Sequence, residues 1–123
     1  MNRAVFDTNV VVSGFLSPAG SPGRIVEWLR NGSVQAVLDD RIMAEYAEVL
    51  ARPVFRLPFT EVELVLAAIR ARSFRVEAAT AHMVRGLPDP DDAPFLECSL
   101  AASVPLVTGN IRHFPRSAAK TQP

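Results

Sequence analysis

The chain of 123 residues predicts an α/β protein: a three-layer α/β/α sandwich, Rossmann-like, around a mostly parallel sheet of four to five strands. Three observations carry this. Short β-branched segments alternate with longer amphipathic ones along the chain. Gly, Pro, Asn and Asp punctuate the joins between them. The first segment, Arg3 to Val12, is a near-continuous apolar run, as strands buried on both faces of a parallel sheet are.

That run is expected to be the first strand, with Asp7 set into it. Residues 17–23 then read as a loop, with Ser21 as N-cap and Pro22 as first residue of a helix that carries Ile25, Val26, Trp28 and Leu29 and stops at Asn31-Gly32. Val34 to Leu38 is a second strand. Asp39-Asp40 opens a helix that runs to Ala51 and ends before Pro53. At about 100° per residue, Ile42, Met43, Tyr46, Val49 and Leu50 share a sector about 120° wide. Glu45 borders that stripe, and Glu48 points to water. Thr60 and Glu63 form a capping box ahead of the next helix, and Phe74 to Glu77 is a third strand. The acidic turn Leu87-Pro88-Asp89-Pro90-Asp91-Asp92 leads into a helix from Ala93 to Ser103. Pro94 falls in its first turn, where a missing N–H costs little. Pro105 to Thr108 is a fourth strand, turned off by Gly109-Asn110. One domain is expected over residues 1–115, with a frayed polar tail over 116–123.

The bulk composition narrows the function. Thirteen basic and 13 acidic residues give zero net charge, which argues against a simple basic nucleic-acid-coating protein. It leaves room for a nuclease, whose metal site needs acid in the cleft and base only on its rim. Cys98 is the single cysteine, so no intrachain disulfide forms and a reducing compartment is expected. No apolar run approaches the roughly 20 residues of a membrane span. The first strand begins too early for a signal peptide. These features point to the cytoplasm.

An unpaired carboxylate buried in an apolar strand is costly, so Asp7 needs a cation, a metal or amide donors. At the carboxyl end of a parallel strand it opens into the crevice where such sheets bind ligands. Glu45 on a helix edge, Asp92 at a helix start and Asn110 after the fourth strand fall at comparable places. Oxygen donors without histidine or thiolate suit Mg²⁺ or Mn²⁺, and such a site activates water for in-line attack on a phosphodiester. Thr8, Asn9, Ser13 and Thr108 lie close to the acids and are placed to orient a ligand or water. Each position also has an ordinary structural explanation: amide-satisfied Asp7, a solvated Glu45, Asp89, Asp91 and Asp92 as helix caps, and Asn110 as a turn residue. Their conjunction is what points to a metal site. Cys98 reads as a small core residue, and His82 and His113 as structural or surface residues.

Four segments, Val5 to Ser13, Ala44 to Leu50, Asp89 to Glu97 and Leu106 to Asn110, together resemble the PIN-domain family. More narrowly, the chain is similar to the VapC-like ribonuclease toxins of prokaryotic toxin–antitoxin pairs. The resemblance runs from about Arg3 to Phe114. It implies a PIN-like fold and a single-stranded ribonuclease that uses Mg²⁺ or Mn²⁺. It further implies a homodimer restrained by a small cognate antitoxin, with no membrane association. Asp7 takes the place of the family's first metal ligand, Glu45 that of its helical glutamate, and Asp92 that of the next aspartate, with Asp89 as a nearby extra acid. Asn110 stands at the fourth acidic position, where it offers a neutral oxygen. The chain also departs from its relatives after His113-Phe114, where the polar stretch 117–123 replaces a further edge strand.

Two other functions compete with a metal-dependent endoribonuclease. One is a catalytically degenerate PIN-like module that binds RNA or a partner protein, suggested by Asn110 and the altered terminus. The other is a phosphotransfer fold with Asp7 as nucleophile. That fold wants a lysine near the site, and the sole lysine is Lys120, in the tail.

Overall fold

The computed structural model describes residues 2–77, 87 and 89–109. Strand β1 (Asn2–Phe6) ends one residue before Asp7, and helix α1 (Thr8–Leu16) begins one residue after it. The single strand expected from Arg3 to Val12 is therefore two elements. A short β-branched run fits a buried helix as well as a buried strand, and Val10, Val11 and Val12 are buried from within α1. Helix α2 (Ser21–Asn31) is capped by Gly20 rather than by Ser21, with Pro22 in its first turn. Gly32 closes it at φ +87°, a left-handed conformation that suits glycine, and its N–H donates to the Trp28 carbonyl at 3.0 Å.

Strand β2 (Val34–Leu38) and helix α3 (Asp40–Leu50) fall where expected. Asp39 caps α3 by accepting from the Ile42 N–H at 3.1 Å. After a 3₁₀ turn at Pro53–Phe55 comes α4 (Phe59–Arg72). Its N-cap is Pro58, which makes no side-chain cap. Thr60 already lies inside the helix, so the expected capping box does not form. Strand β3 (Phe74–Arg75) is shorter than the 74–77 expected. A second 3₁₀ turn, Pro90–Asp92, leads into α5 (Ala93–Ala102) and then β4 (Leu106–Val107).

Among the described residues the strands form one all-parallel sheet in the order β3-β2-β1-β4, flanked by helices. This is the predicted α/β class. The central strands are the most buried, with Val5, Val37 and Leu38 at 0% exposure. Helix α5 packs against β1 and β2, while α2, α3 and α4 all reach β2. Ile42, Tyr46 and Leu50 on α3 join Leu66 and Ile69 on α4 and Phe95 on α5 in one core. Each large apolar side chain buried this way contributes about 1.5–3 kcal/mol. Because all four strands run the same way, their carboxyl ends share one edge. The residues that follow them line up there as Val76, Asp39, Asp7 and Thr108. No helix among the described residues is long and apolar enough to cross a membrane.

Candidate metal and nucleic-acid site

Asp7 follows the last residue of β1 and is 4% exposed. It occupies the N-cap position of α1, yet its side chain makes no capping hydrogen bond. The register between β1 and β4 pairs Phe6 with Val107, so Asp7 and Thr108 emerge side by side. The Asp7 N–H donates to the Val107 carbonyl at 2.9 Å, and the Thr108 hydroxyl donates to Asp7 Oδ2 at 2.8 Å. Asp7 is thus anchored by a neighbouring strand through backbone and side chain.

Glu45 comes from the middle of α3 and is half-buried at the edge of the apolar stripe, while Glu48 is exposed and ion-pairs with Arg52 at 2.8 Å. The buried Thr8 hydroxyl donates to Glu45 Oε2 at 2.5 Å, which ties the first turn of α1 to α3. Next to Glu45 in α3, Tyr46 is fully buried, its phenol donating to the Phe6 carbonyl at 2.5 Å. Burial first, and then the charges of Asp7 and Glu45, raise the Tyr46 pKa well above the ordinary phenol value. The same phenol therefore senses both carboxylates, one just past the end of β1 and one from α3. Sequence periodicity shows Tyr46 only as an apolar stripe position. The signal for more was the rule that a buried tyrosine hydroxyl needs a partner.

Asp92 is the N-cap of α5 and makes no side-chain capping bond, and its Oδ2 is shielded from solvent. Asp89 is exposed and folds back on its own turn, accepting from the Asp91 N–H at 3.0 Å. Of the residues expected to orient a ligand, Thr8 and Thr108 touch the acids, whereas Asn9 and Ser13 are exposed on α1. Asn110, His82, His113 and Lys120 lie outside the described residues. Among the described residues no three His, Cys, Asp or Glu side chains form a group that could hold a metal ion. The pair Asp7 and Glu45 nonetheless fits the donor chemistry of Mg²⁺, which binds through one or two carboxylates and keeps its remaining positions for water and phosphate oxygens.

A second charged group, which sequence reasoning missed, lies next along the sheet edge. Asp39 and Glu97 are 3% and 2% exposed and share Arg41, with Nη2–Oδ2 at 2.6 Å and Nη1–Oε1 at 2.8 Å. Burial works against the guanidinium's charge, but hydrogen bonds to Asp39 and Glu97 outweigh it and raise the Arg41 pKa. Burial, aided by the charge of Asp39 and a hydrogen bond to it, pushes the Cys98 thiol up to about 12. The overlooked signal was an acid inside the apolar stretch Phe95-Leu96-Glu97-Cys98. Beside this group a cleft of 240 Å³ opens, lined by Asp39, Asp40, Arg41, Arg75, Val76 and Glu77.

Fold and site together define a class: an open parallel α/β protein with carboxylates presented at the carboxyl edge of its sheet, where such folds bind ligands. The PIN-domain family model matches residues 3–112, and the chain belongs to that family. PIN domains are typically nucleases and generally use divalent metal ions. No curated protein and no solved structure matches the chain.

Proposed function

We propose that this PIN domain is a Mg²⁺- or Mn²⁺-dependent endoribonuclease that cleaves single-stranded RNA in the cytoplasm as the toxin of a toxin–antitoxin pair. A homodimer and a small antitoxin protein are the partners this reading calls for. The observation that carries it is the hydrogen bond from Thr8, the residue next to buried Asp7, to Glu45, which brings carboxylates from two different elements together at the sheet's carboxyl edge. Asp7 and Glu45 would hold the cation, with Asp92 at the start of α5 as the third acid. Asn110 and Asp89 stand as additional oxygen donors. When bound, the cation supplies a water nucleophile for in-line attack on a phosphodiester and offsets the charge that gathers on phosphorus.

The chain's own residues prepare that chemistry. Thr108 holds one oxygen of Asp7 and Thr8 one oxygen of Glu45, so both carboxylates keep a fixed orientation. Tyr46 keeps its proton and, fully buried, donates it to the carbonyl of Phe6, the residue before Asp7. The Asp7→Asn variant keeps the shape and the Thr108 bond and removes the charge. It is expected to lose Mn²⁺-dependent cleavage of single-stranded RNA while folding normally. Equal cleavage by both proteins would overturn the assignment.

A second reading, a non-catalytic PIN-like module that binds RNA or a protein, has one observation in its favour: no three-ligand group forms among the described residues. Binding of RNA without cleavage, and without any stabilisation by millimolar Mn²⁺, would select it.

A further inference from the structure

We infer that Arg41 is a positioning residue: by bridging Asp39 and Glu97 it locks α3 to α5 and so fixes where Glu45 stands, against Thr8 and next to Asp7, for a cation. The inference rests on the metal-dependent reading above. Arg41 contacts Asp39 through Nε and Nη2 and Glu97 through Nη1, all within 2.8 Å. Asp39 is the cap of α3, and its other oxygen is held by the Ile42 N–H, so it cannot swing away from the helix. Glu97 sits in the first half of α5, five places after Asp92. Arg41 and Glu45 are four residues apart on α3, hence on one face and about 6 Å apart along the axis. The face of α3 that carries Glu45 is therefore clipped to α5 one turn away.

Stability alone gives a poor account of this cluster. Two buried carboxylates share one guanidinium that still reaches solvent, and buried charges held this way are commonly replaced by apolar side chains at no loss of stability. What an apolar patch lacks is a unique register between two helices. Arginine is suited to this task because its planar fork meets two carboxylates at once, whereas a lysine ammonium is a point charge on a flexible stem. Residues that hold metal ligands in place typically change metal affinity by about 10- to 100-fold when altered.

The test compares three proteins by Mn²⁺ titration, with free Mn²⁺ followed by electron paramagnetic resonance and folding followed by urea unfolding. They are the wild type, Arg41→Lys, and the charge-free triple variant Asp39→Asn, Arg41→Met, Glu97→Gln. The triple variant leaves no buried charge unpaired and guards against misfolding. The expected result is cooperative unfolding in all three, with Mn²⁺ affinity lowered about tenfold or more in both variants. In RNA cleavage the loss should fall on kcat rather than KM. Rescue of affinity by Arg41→Lys, or a folded triple variant that binds Mn²⁺ within about twofold of the wild type against that expectation, overturns the positioning role and leaves the metal site standing. A wild type that takes up no Mn²⁺ overturns the metal-dependent reading itself, and this inference with it.

Discussion

Thr108 and Asp7 lie 101 positions apart in the chain and are joined by a hydrogen bond of 2.8 Å. The contact follows from the parallel pairing of β1 and β4, which delivers both residues to the same edge one step beyond the last paired residues. It also explains why Asp7 is tolerated at 4% exposure: part of its lost hydration is replaced by an aligned hydroxyl.

Removing that hydroxyl should be felt in the fold and the site together. Thr108→Val keeps the shape but leaves Asp7 Oδ2 without its donor, and is expected to cost about 1–2 kcal/mol by urea unfolding. Mn²⁺ affinity should fall with it, since the carboxylate is then free to turn.

Glu45 and Glu48 share a helix, only three residues apart, and make a contrast that tests the site. Glu45 is half-buried and held by Thr8, whereas Glu48 is exposed and paired with Arg52. The pair with Arg52 also draws the Glu48 pKa below the ordinary value. Glu45→Gln is expected to abolish RNA cleavage, and Glu48→Gln to leave the rate unchanged.

The α1–α2 turn depends on a close approach that only glycine allows. A Cβ on Gly23 would stand 2.1 Å from the Pro18 carbonyl oxygen and 2.4 Å from its carbon, both backbone atoms with nowhere to go. Gly23→Ala is expected to cost about 2–3 kcal/mol, measured by thermal or urea unfolding.

Alkaline pH should weaken the fold through Cys98. The folded thiol keeps its proton to about 12, whereas in the unfolded chain it ionises near 8.5. Between these values the unfolded state binds fewer protons, so stability is whole below about pH 8.5 and falls by as much as about 1.4 kcal/mol per pH unit up to about 12. Tyr46, raised by burial and by two nearby carboxylates, adds a loss in the same direction above about pH 10. Urea unfolding across pH 7–11 checks this, and Cys98→Ala should flatten the first part of the decline.

Much of the fold was legible because its signals are local. Val34 to Leu38 and the helix behind Asp39 carry their own pattern and cap, and both stand where the sequence places them. Arg3 to Val12 reads as one strand because burial erases periodicity: Val10 to Val12 are apolar in either state, and Asp7 marks a break between elements rather than a flaw in one. Capping at Thr60 failed because Pro58 starts α4 earlier, which no propensity scale for Thr and Glu contains. In the site, Asp7 and Glu45 stand out as single residues in the wrong company. Tyr46, Arg41 and Glu97 do not, because their partners are 40 and 56 positions away, and only the packing of α3 on β1 and α5 brings them together.

The most direct test is diffraction from crystals soaked in Mn²⁺, with anomalous difference maps at the carboxyl edge of the sheet. The account predicts a peak within about 2.0–2.3 Å of a carboxylate oxygen from both Asp7 and Glu45. A fully soaked crystal with no peak between those two side chains, or a peak bound elsewhere while RNA is still cleaved, would contradict it.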